Sequence, residues 1–496
     1  MMPKPTMAAD PTPVRVVLVT LDSHLAGAVE RARRTLAREL PGLRLRLHVA
    51  AEWADDGALL EQCNADIAEA DIVFVSMLFM DDHIQAVLPA LKARRDACDA
   101  MVACISAGEI IKLTRIGRFD MGGEAKGAMA LLKRLKGSRK AGKSGGAQQL
   151  AMLKRIPKLL RFIPGTAQDV RAYFLVMQYF LSGSDTNITN LVRLLVDRYA
   201  DGPRRHLRAT LKPKPPAEYP ETGLYHPRLQ DRIGDDPSAL PMPEGEARGT
   251  VGLLIMRSYV LAGDTDHYDA VIEALERRGL RVVPAFASGL DARPAVEAFF
   301  TERGRATVDA IVSLTGFSLV GGPAYNDAAA ATKLLTELDV PYVTAQAVEF
   351  QTIEQWHASD RGLMPVEATM MVAIPELDGA TGPMVFGGRS GTHPGEAARA
   401  MVPNPDRIEA LAAGVARLVE LRQTPRHERR LAITLFNFPP NAGATGTAAY
   451  LSVFASLQHT LEALAREGYD VEVPASVDDL RARVLEGNAA DRKSVV

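Results

Sequence analysis

Two glycine-rich stretches carry the chemistry that this sequence offers. Ile311 to Asn326 reads IVSLTGFSLVGGPAYN: an apolar run, a glycine pair, a proline, then polar residues that open a helix. A strand that breaks into a Gly-Gly turn at a helix mouth leaves backbone N–H groups free to meet a ligand. Leu431 to Leu457 repeats the plan, with strand LAITLF, loop NAGATGT and helix AAYLSVF. The candidate binding residues are Gly321 and Gly322 in the first stretch, and Asn441, Gly443, Thr445, Gly446 and Thr447 in the second. The glycines admit close approach of a ligand and the threonines offer hydroxyls. A glycine-rich connection needed only for tight packing is the alternative, and the residues leave both open.

Other chemistries fail on context. Gly137 to Ser144, GSRKAGKS, matches the phosphate loop G-x-x-x-x-G-K-[ST]. That loop works only between a buried strand and a helix. Here a basic amphipathic run, LLKRLK, precedes it and GGAQQ follows, so the chain is not expected to hydrolyse ATP alone. His226, His357 and His393 are scattered, with no i, i+4 pair and no H-E-x-x-H, so no metal site is expected. Glu354 and His357 share a helix face at i, i+3, with Glu349 further round, and are read as a polar helix surface. No Ser-His-Asp or Cys-His set assembles by sequence position, and catalytic residues stay unassigned.

Charge and composition bound the partners. The net charge of -2 argues against a general nucleic-acid binder. Leu131 to Arg161 nevertheless carries ten Lys and Arg residues and no acid. It is read as a solvated loop between two amphipathic helices, with a docking surface for an acidic partner or a membrane as the alternative. The three cysteines, Cys63, Cys98 and Cys104, lack metal-type spacing and are expected reduced and buried, in a cytoplasmic protein. No apolar run is long enough to span a bilayer. The start, MMPKPTMAADPTPVR, has no apolar signal region, and residues 1–13 are expected to form a disordered tail.

These residues need a scaffold, and 496 residues are too many for one core. Strands are predicted at Val14–Leu21, Leu43–Val49, Asp71–Met77 and Ala100–Ser106, with helices at Ser23–Leu40, Gly57–Ala68 and Asp81–Arg95. Asp81 is expected to cap its helix. Such alternation means parallel βαβ units in an α/β fold, covered on both faces. Residues 14–200 form this first domain, ending in two helices over Gln168–Ala200. Residues 201–249 are a Pro-rich, mostly irregular connection, in which Tyr219–Leu229 lies against a domain surface. A second doubly wound domain spans 250–425, with strands at Val251–Tyr259, Arg281–Ala287, Ala310–Thr315 and Val340–Ala345. Met370–Ile374 is a further candidate strand. Residues 426–490 begin an incomplete third α/β unit, with strands at Leu431 and at Asp470–Val473.

Several segments together resemble the large H subunit of magnesium chelatase. They are SLTGFSLVGGPAYND, VPYVTAQAVEFQTIEQW, PELDGATGPMVFGGR and LFNFPPNAGATGTAAYLSVF, with GRFDMGGEAKGAMALLKRLKG, FIPGTAQDVRAYFLVMQYFLSGSDTNITNLVRLLVDRYA and GLYHPRL nearer the start. The resemblance runs from about Val14 to about Asn488 and is closest to the bacteriochlorophyll branch. It implies a ligase that inserts Mg2+ into protoporphyrin IX for (bacterio)chlorophyll synthesis, with both as substrates. The H subunit binds the porphyrin, and the AAA+ I and D subunits hydrolyse ATP. Localisation would be cytoplasmic, with a photosynthetic membrane surface or the next pathway enzyme as further contacts. The cobalt chelatase large subunit and a non-catalytic tetrapyrrole-binding protein are the alternatives. Family members are more than twice as long, and the acids and histidines usually proposed for metal handling lie in the part not present. This chain is therefore expected to be an N-terminal fragment, inactive alone. Residues 491–496, DRKSVV, fit no family pattern and match the translation of a common sequencing adapter, so they are read as an artefact and the natural chain is expected to continue.

Overall fold

The structure, a computed structural model, describes residues 11–486 apart from 22, 54–56, 123–154, 323–324, 392–399, 438–444, 447 and 449. The segment GSRKAGKS, most of the basic run, His393, Asn441, Gly443 and Thr447 lie outside the described residues. The chain forms two compact units, one reaching Ala416 and one starting at Arg417.

The first unit contains two large sheets. Strands β1 (Val14–Thr20), β2 (Leu43–Val49), β3 (Ile72–Ser76) and β4 (Ala100–Cys104) are parallel. A hairpin of β5 (Arg115–Ile116) and β6 (Phe119–Asp120) extends them, in the order β2-β1-β3-β4-β5-β6. Side chains alternate across a strand, so neighbours serve opposite cores. Val16, Leu18, Phe74 and Val102 face helices Ala26–Leu36, Thr166–Leu181 and Asp185–Tyr199. Val17, Val19, Val73 and Met101 face Gly57–Glu69 and Asp81–Arg94. Burial on both faces explains why β3 and β4 read as unbroken apolar runs. Asp81 lies in the first turn of its helix rather than at the cap, which is Met80.

The expected irregular connection contributes to the second sheet. β7 (Thr222–Tyr225) and β8 (Ile233–Gly234) form its edge, so part of Tyr219–Leu229 is inside the ladder rather than against it. The sheet continues with β9 (Gly249–Leu254) and β10 (Leu280–Ala287). After a small hairpin of β11 (Thr301–Glu302) and β12 (Arg305–Ala306) comes β13 (Ala310–Ser313). A second small hairpin, β14 (Gly321–Gly322) and β15 (Tyr325–Asn326), precedes β16 (Tyr342–Thr352), β17 (Thr381–Arg389) and β18 (Met401–Pro403). The order is β18-β17-β16-β13-β9-β10-β7-β8. β10, β9, β13, β16 and β17 are mutually parallel, while β7 and β18 run antiparallel at the flanks. Numbered by their own order in the chain, these five strands run 2-1-3-4-5, and the parallel part of the first sheet runs 2-1-3-4. Both are doubly wound in the same sense, with a switch point between first and third strands.

Three predicted strands are realised differently. Met370–Ile374 is helical, within a wide-turned stretch from Pro365 to Asp378. A short apolar run fits a buried helix as well as a strand. In the second unit, Leu431–Phe436 joins no ladder among the described residues, and Asn437 makes an isolated bridge to Thr445. Asp470–Val473 likewise pairs with nothing among the described residues. A lone strand lacks the backbone partners that make a sheet. Helices Val453–Arg466 and Val477–Glu486 pack together there instead.

Candidate functional site

The carboxyl ends of the two sheets meet. The chain leaves β1 and reaches His24, while it leaves β9 and enters the helix Arg257–Ala262. The His24 and Tyr259 rings touch, with centroids 5.0 Å apart. Arg31 donates to the Ala262 carbonyl. Glu52 lies just beyond β2 and Arg389 is the last residue of β17, and their charged groups approach to 3.6 Å. In doubly wound sheets, ligands settle outside the carboxyl ends of the strands, at the switch point.

Polar groups are concentrated at this junction. Tyr259 donates its hydroxyl to Glu349 on β16. Asp264 accepts the Met401 amide at 3.0 Å. Burial raises the Asp264 carboxyl to about 7; the Met401 amide and Arg31 pull down, while Asp266 and Glu349 add to the rise. His267 is wholly buried, which lowers it to about 3. Its ring lies 3.8 Å from that of Tyr268 and stacks on Phe386 at 5.7 Å. Neither ring nitrogen has a hydrogen-bond partner among the described residues. Arg389 is 4% exposed, its Nε donates to the Glu349 carbonyl at 3.2 Å, and its Nη2 has no partner among the described residues.

A second feature sits at the switch point of the larger sheet. An open cleft is lined by Leu254, Met256, Phe286, Leu290, Thr315 and Phe317, at the carboxyl ends of β9, β10 and β13. Gly321 and Gly322 back its wall. The Gly321 amide donates to the Leu290 carbonyl at 2.9 Å, and a Cβ on Gly322 would collide with the Leu290 side chain. The helix beyond opens at Ala328, with the Asp327 side chain accepting the Ala330 amide at 3.0 Å.

The other predicted residues are placed as follows. Thr445 and Gly446 belong to the second unit, where Gly446 turns the chain at φ +71° and donates its amide to the Phe436 carbonyl at 2.9 Å. Glu354 and His357 share the short helix Ile353–Ala358 but serve different neighbours. Glu354 accepts the Gly391 amide at 3.0 Å, and His357 meets Asn404 at 3.0 Å. Glu349 is on β16, not on that helix. His226 is buried beside Glu276 at 3.2 Å. Among the described residues, no group of three His, Cys, Asp or Glu side chains is placed to hold a metal, and no helix is long and apolar enough to cross a membrane.

Sequence reasoning missed Glu52, Tyr259, Asp264, His267 and Arg389. One signal was present: the Gly-Gly before Arg389. A Cβ on Gly387 would lie 2.6 Å from the Val402 carbonyl oxygen, and one on Gly388 would collide with the Val348 side chain. Only glycine lets β17 fit between β16 and β18 and carry Arg389 to the junction.

Comparison with known proteins agrees with this architecture. A family model described as CobN/Magnesium Chelatase matches residues 177–495, and a Domain of unknown function (DUF3479) matches residues 15–174. The magnesium-chelatase H subunit of Cereibacter sphaeroides is 52% identical over 488 residues, covering 96% of this chain and 41% of that protein. The H subunit of Rhodobacter capsulatus is 50% identical, covering 95% of this chain and 40% of that protein. The chain thus spans about two fifths of the length of these relatives. The catalytic subunit of cobaltochelatase from Mycobacterium tuberculosis is 20% identical with a TM-score of 0.53, covers 97% of this chain and 33% of its own, and shows the shared fold. The chain belongs to the CobN/magnesium chelatase family.

Proposed function

We propose that this chain is the N-terminal part of a magnesium-chelatase H subunit, which binds protoporphyrin IX for ATP-dependent Mg2+ insertion. The carrying observation is the pair of facing carboxyl ends, where two doubly wound sheets bring buried polar groups together beside an apolar cleft. An apolar cavity with a few fixed polar groups suits a planar ligand with polar edges. Identity of 50–52% to the two bacterial H subunits, against 32% over half the chain to the aerobic cobaltochelatase CobN of Sinorhizobium, favours the magnesium branch. Mg2+ and porphyrin are then substrates, and the AAA+ I and D subunits supply ATP hydrolysis. Contact with a photosynthetic membrane or with the next pathway enzyme goes with the same proposal. Gly321–Gly322 and Asn441–Thr447 remain candidate positions of close ligand approach, with the Gly321 and Gly446 amides themselves engaged by carbonyls of the chain.

The test is direct titration of the purified chain with protoporphyrin IX, read by porphyrin fluorescence. Saturable binding without metal insertion, even with I, D, Mg2+ and ATP added, is expected. Absence of binding rejects the proposal. Preference for a corrin precursor moves the chain to the cobalt-inserting branch. Stable porphyrin binding with no association with I or D favours a non-catalytic tetrapyrrole-binding protein.

A further inference from the structure

Arg389 is held in place but incompletely used. Its Nε is engaged by the Glu349 carbonyl, and Nη1 is 3.6 Å from Glu52, an ion-pair separation rather than a hydrogen bond. Nη2 is buried with nothing to donate to among the described residues. A buried N–H of a charged group without an acceptor is unfavourable, and native proteins rarely leave one so unless something else binds it. The residue is also rigidly delivered, because Gly387 and Gly388 fix the end of β17 against both neighbouring strands. Its location is the meeting of two sets of strand carboxyl ends.

We propose that Arg389 anchors a carboxylate of the bound ligand through its unpartnered Nη2, which the ligand reaches by displacing its cover. This rests on the porphyrin-binding proposal above, and the carboxylate is then a propionate side chain of the porphyrin. A guanidinium offers N–H donors in a fixed fork that matches a carboxylate, which a lysine ammonium cannot reproduce. Arg389 faces the acid Glu52, so it acts as a directional donor and not as one part of a broad cationic patch. The gain is therefore confined to the hydrogen bonds made. A charge-assisted hydrogen bond of ordinary strength corresponds to roughly tenfold in affinity.

The experiment compares protoporphyrin IX with its dimethyl ester, which keeps the ring and loses both acids, in one buffer and detergent. The chain should bind the diacid about tenfold more tightly than the ester. Arg389→Met should bring the diacid to the level of the ester and leave the ester unchanged. Arg389→Lys, which serves if the methionine variant does not fold, should lose most of the preference. Glu52→Gln should keep it, because the Nη2 edge is intact. An undiminished preference in either Arg389 variant overturns the proposal, as does equal loss in Glu52→Gln. Equal binding of diacid and ester by the wild-type chain overturns it while leaving porphyrin binding intact. Failure to bind either porphyrin rejects the underlying functional proposal and this one with it.

Discussion

Glu52 and Arg389 pair across the junction of the two sheets, at 3.6 Å, with both side chains buried. Breaking such a pair strands one charge in a dry site, which typically costs about 3–5 kcal/mol, whereas replacing both partners by apolar residues costs far less. Glu52→Ala should therefore destabilise the chain by about 3 kcal/mol in urea unfolding. Combining Glu52→Leu with Arg389→Met should cost less than either single change. A double variant as weak as the sum of the two singles rejects the pair as a coupled contact.

Asp264 and His267 should tilt stability in opposite directions with pH. The folded Asp264 carboxyl is raised to about 7, so its contribution is complete below the unfolded value near 4 and is lost as pH rises through 7. The folded His267 is lowered to about 3, so its contribution is present above about 6.5 and is lost as pH falls toward 3. Between about pH 4 and 6.5 the two oppose each other, each with a limiting slope of about 1.4 kcal/mol per pH unit. Asp264→Asn should expose the histidine dependence, so that stability climbs with pH across this window. Parallel wild-type and variant profiles in pH-dependent chemical denaturation exclude that balance.

Gly388→Ala should destabilise the chain by about 1–3 kcal/mol, the usual result of overpacking. The new methyl meets the Val348 side chain and lies 2.9 Å from the Val348 carbonyl oxygen, which cannot yield without moving β16. A thermal unfolding curve unchanged from wild type disproves the close strand approach.

The three thiols should be silent in the folded chain. Burial pushes Cys63 and Cys104 up to about 12 and raises Cys98 as well, and reaction requires thiolate. A thiol reagent at pH 8 should titrate all three in denaturant and almost none without it. Rapid native labelling shows that one of these sites opens.

Both tryptophans border the sheet junction, which makes them reporters. Trp53 follows Glu52 and stands edge-on to His83 with ring centroids 5.8 Å apart, while Trp356 lies under the Arg407 guanidinium. With Trp356→Phe, the emission of Trp53 should remain blue and should be quenched by bound porphyrin. Quenching confined to Trp356 places the ligand away from the Glu52 side.

The strands were legible where both faces are buried, because the apolar run is then unbroken. DIVFVSM and AMVACIS became β3 and β4 with small changes at the ends. The strand predicted over Val251–Tyr259 is shorter in the structure, because the sheet ends at Leu254 and Tyr259 turns into a helix against His24. The strand from Val340 to Ala345 extends beyond its apolar run, because Gln346 to Thr352 mixes polar and apolar residues while remaining paired along β17. The junction itself was illegible. Glu52 and Arg389 are distant in sequence, and no local spacing marks two residues that meet only when separate sheets pack. Gly321 and Gly322 point in sequence to close approach of a ligand, yet the visible consequence is steric: Gly322 leaves room for Leu290 at the cleft wall.

The two sheets differ in when they can close during synthesis. The first needs only residues up to β6 for its strands, so its ladder can form early on the ribosome. The second has β7 at one side and β18 at the other, with every parallel strand encoded between them. β7 emerges before its partner β10 exists, and β17 stays an open edge until Met401 arrives. Translation therefore creates an interval in which half-built strand edges are exposed, and open edges invite pairing with other chains. A pause inserted between the codons for β10 and β18 should raise aggregation of the nascent chain, while the same pause after Pro403 should not.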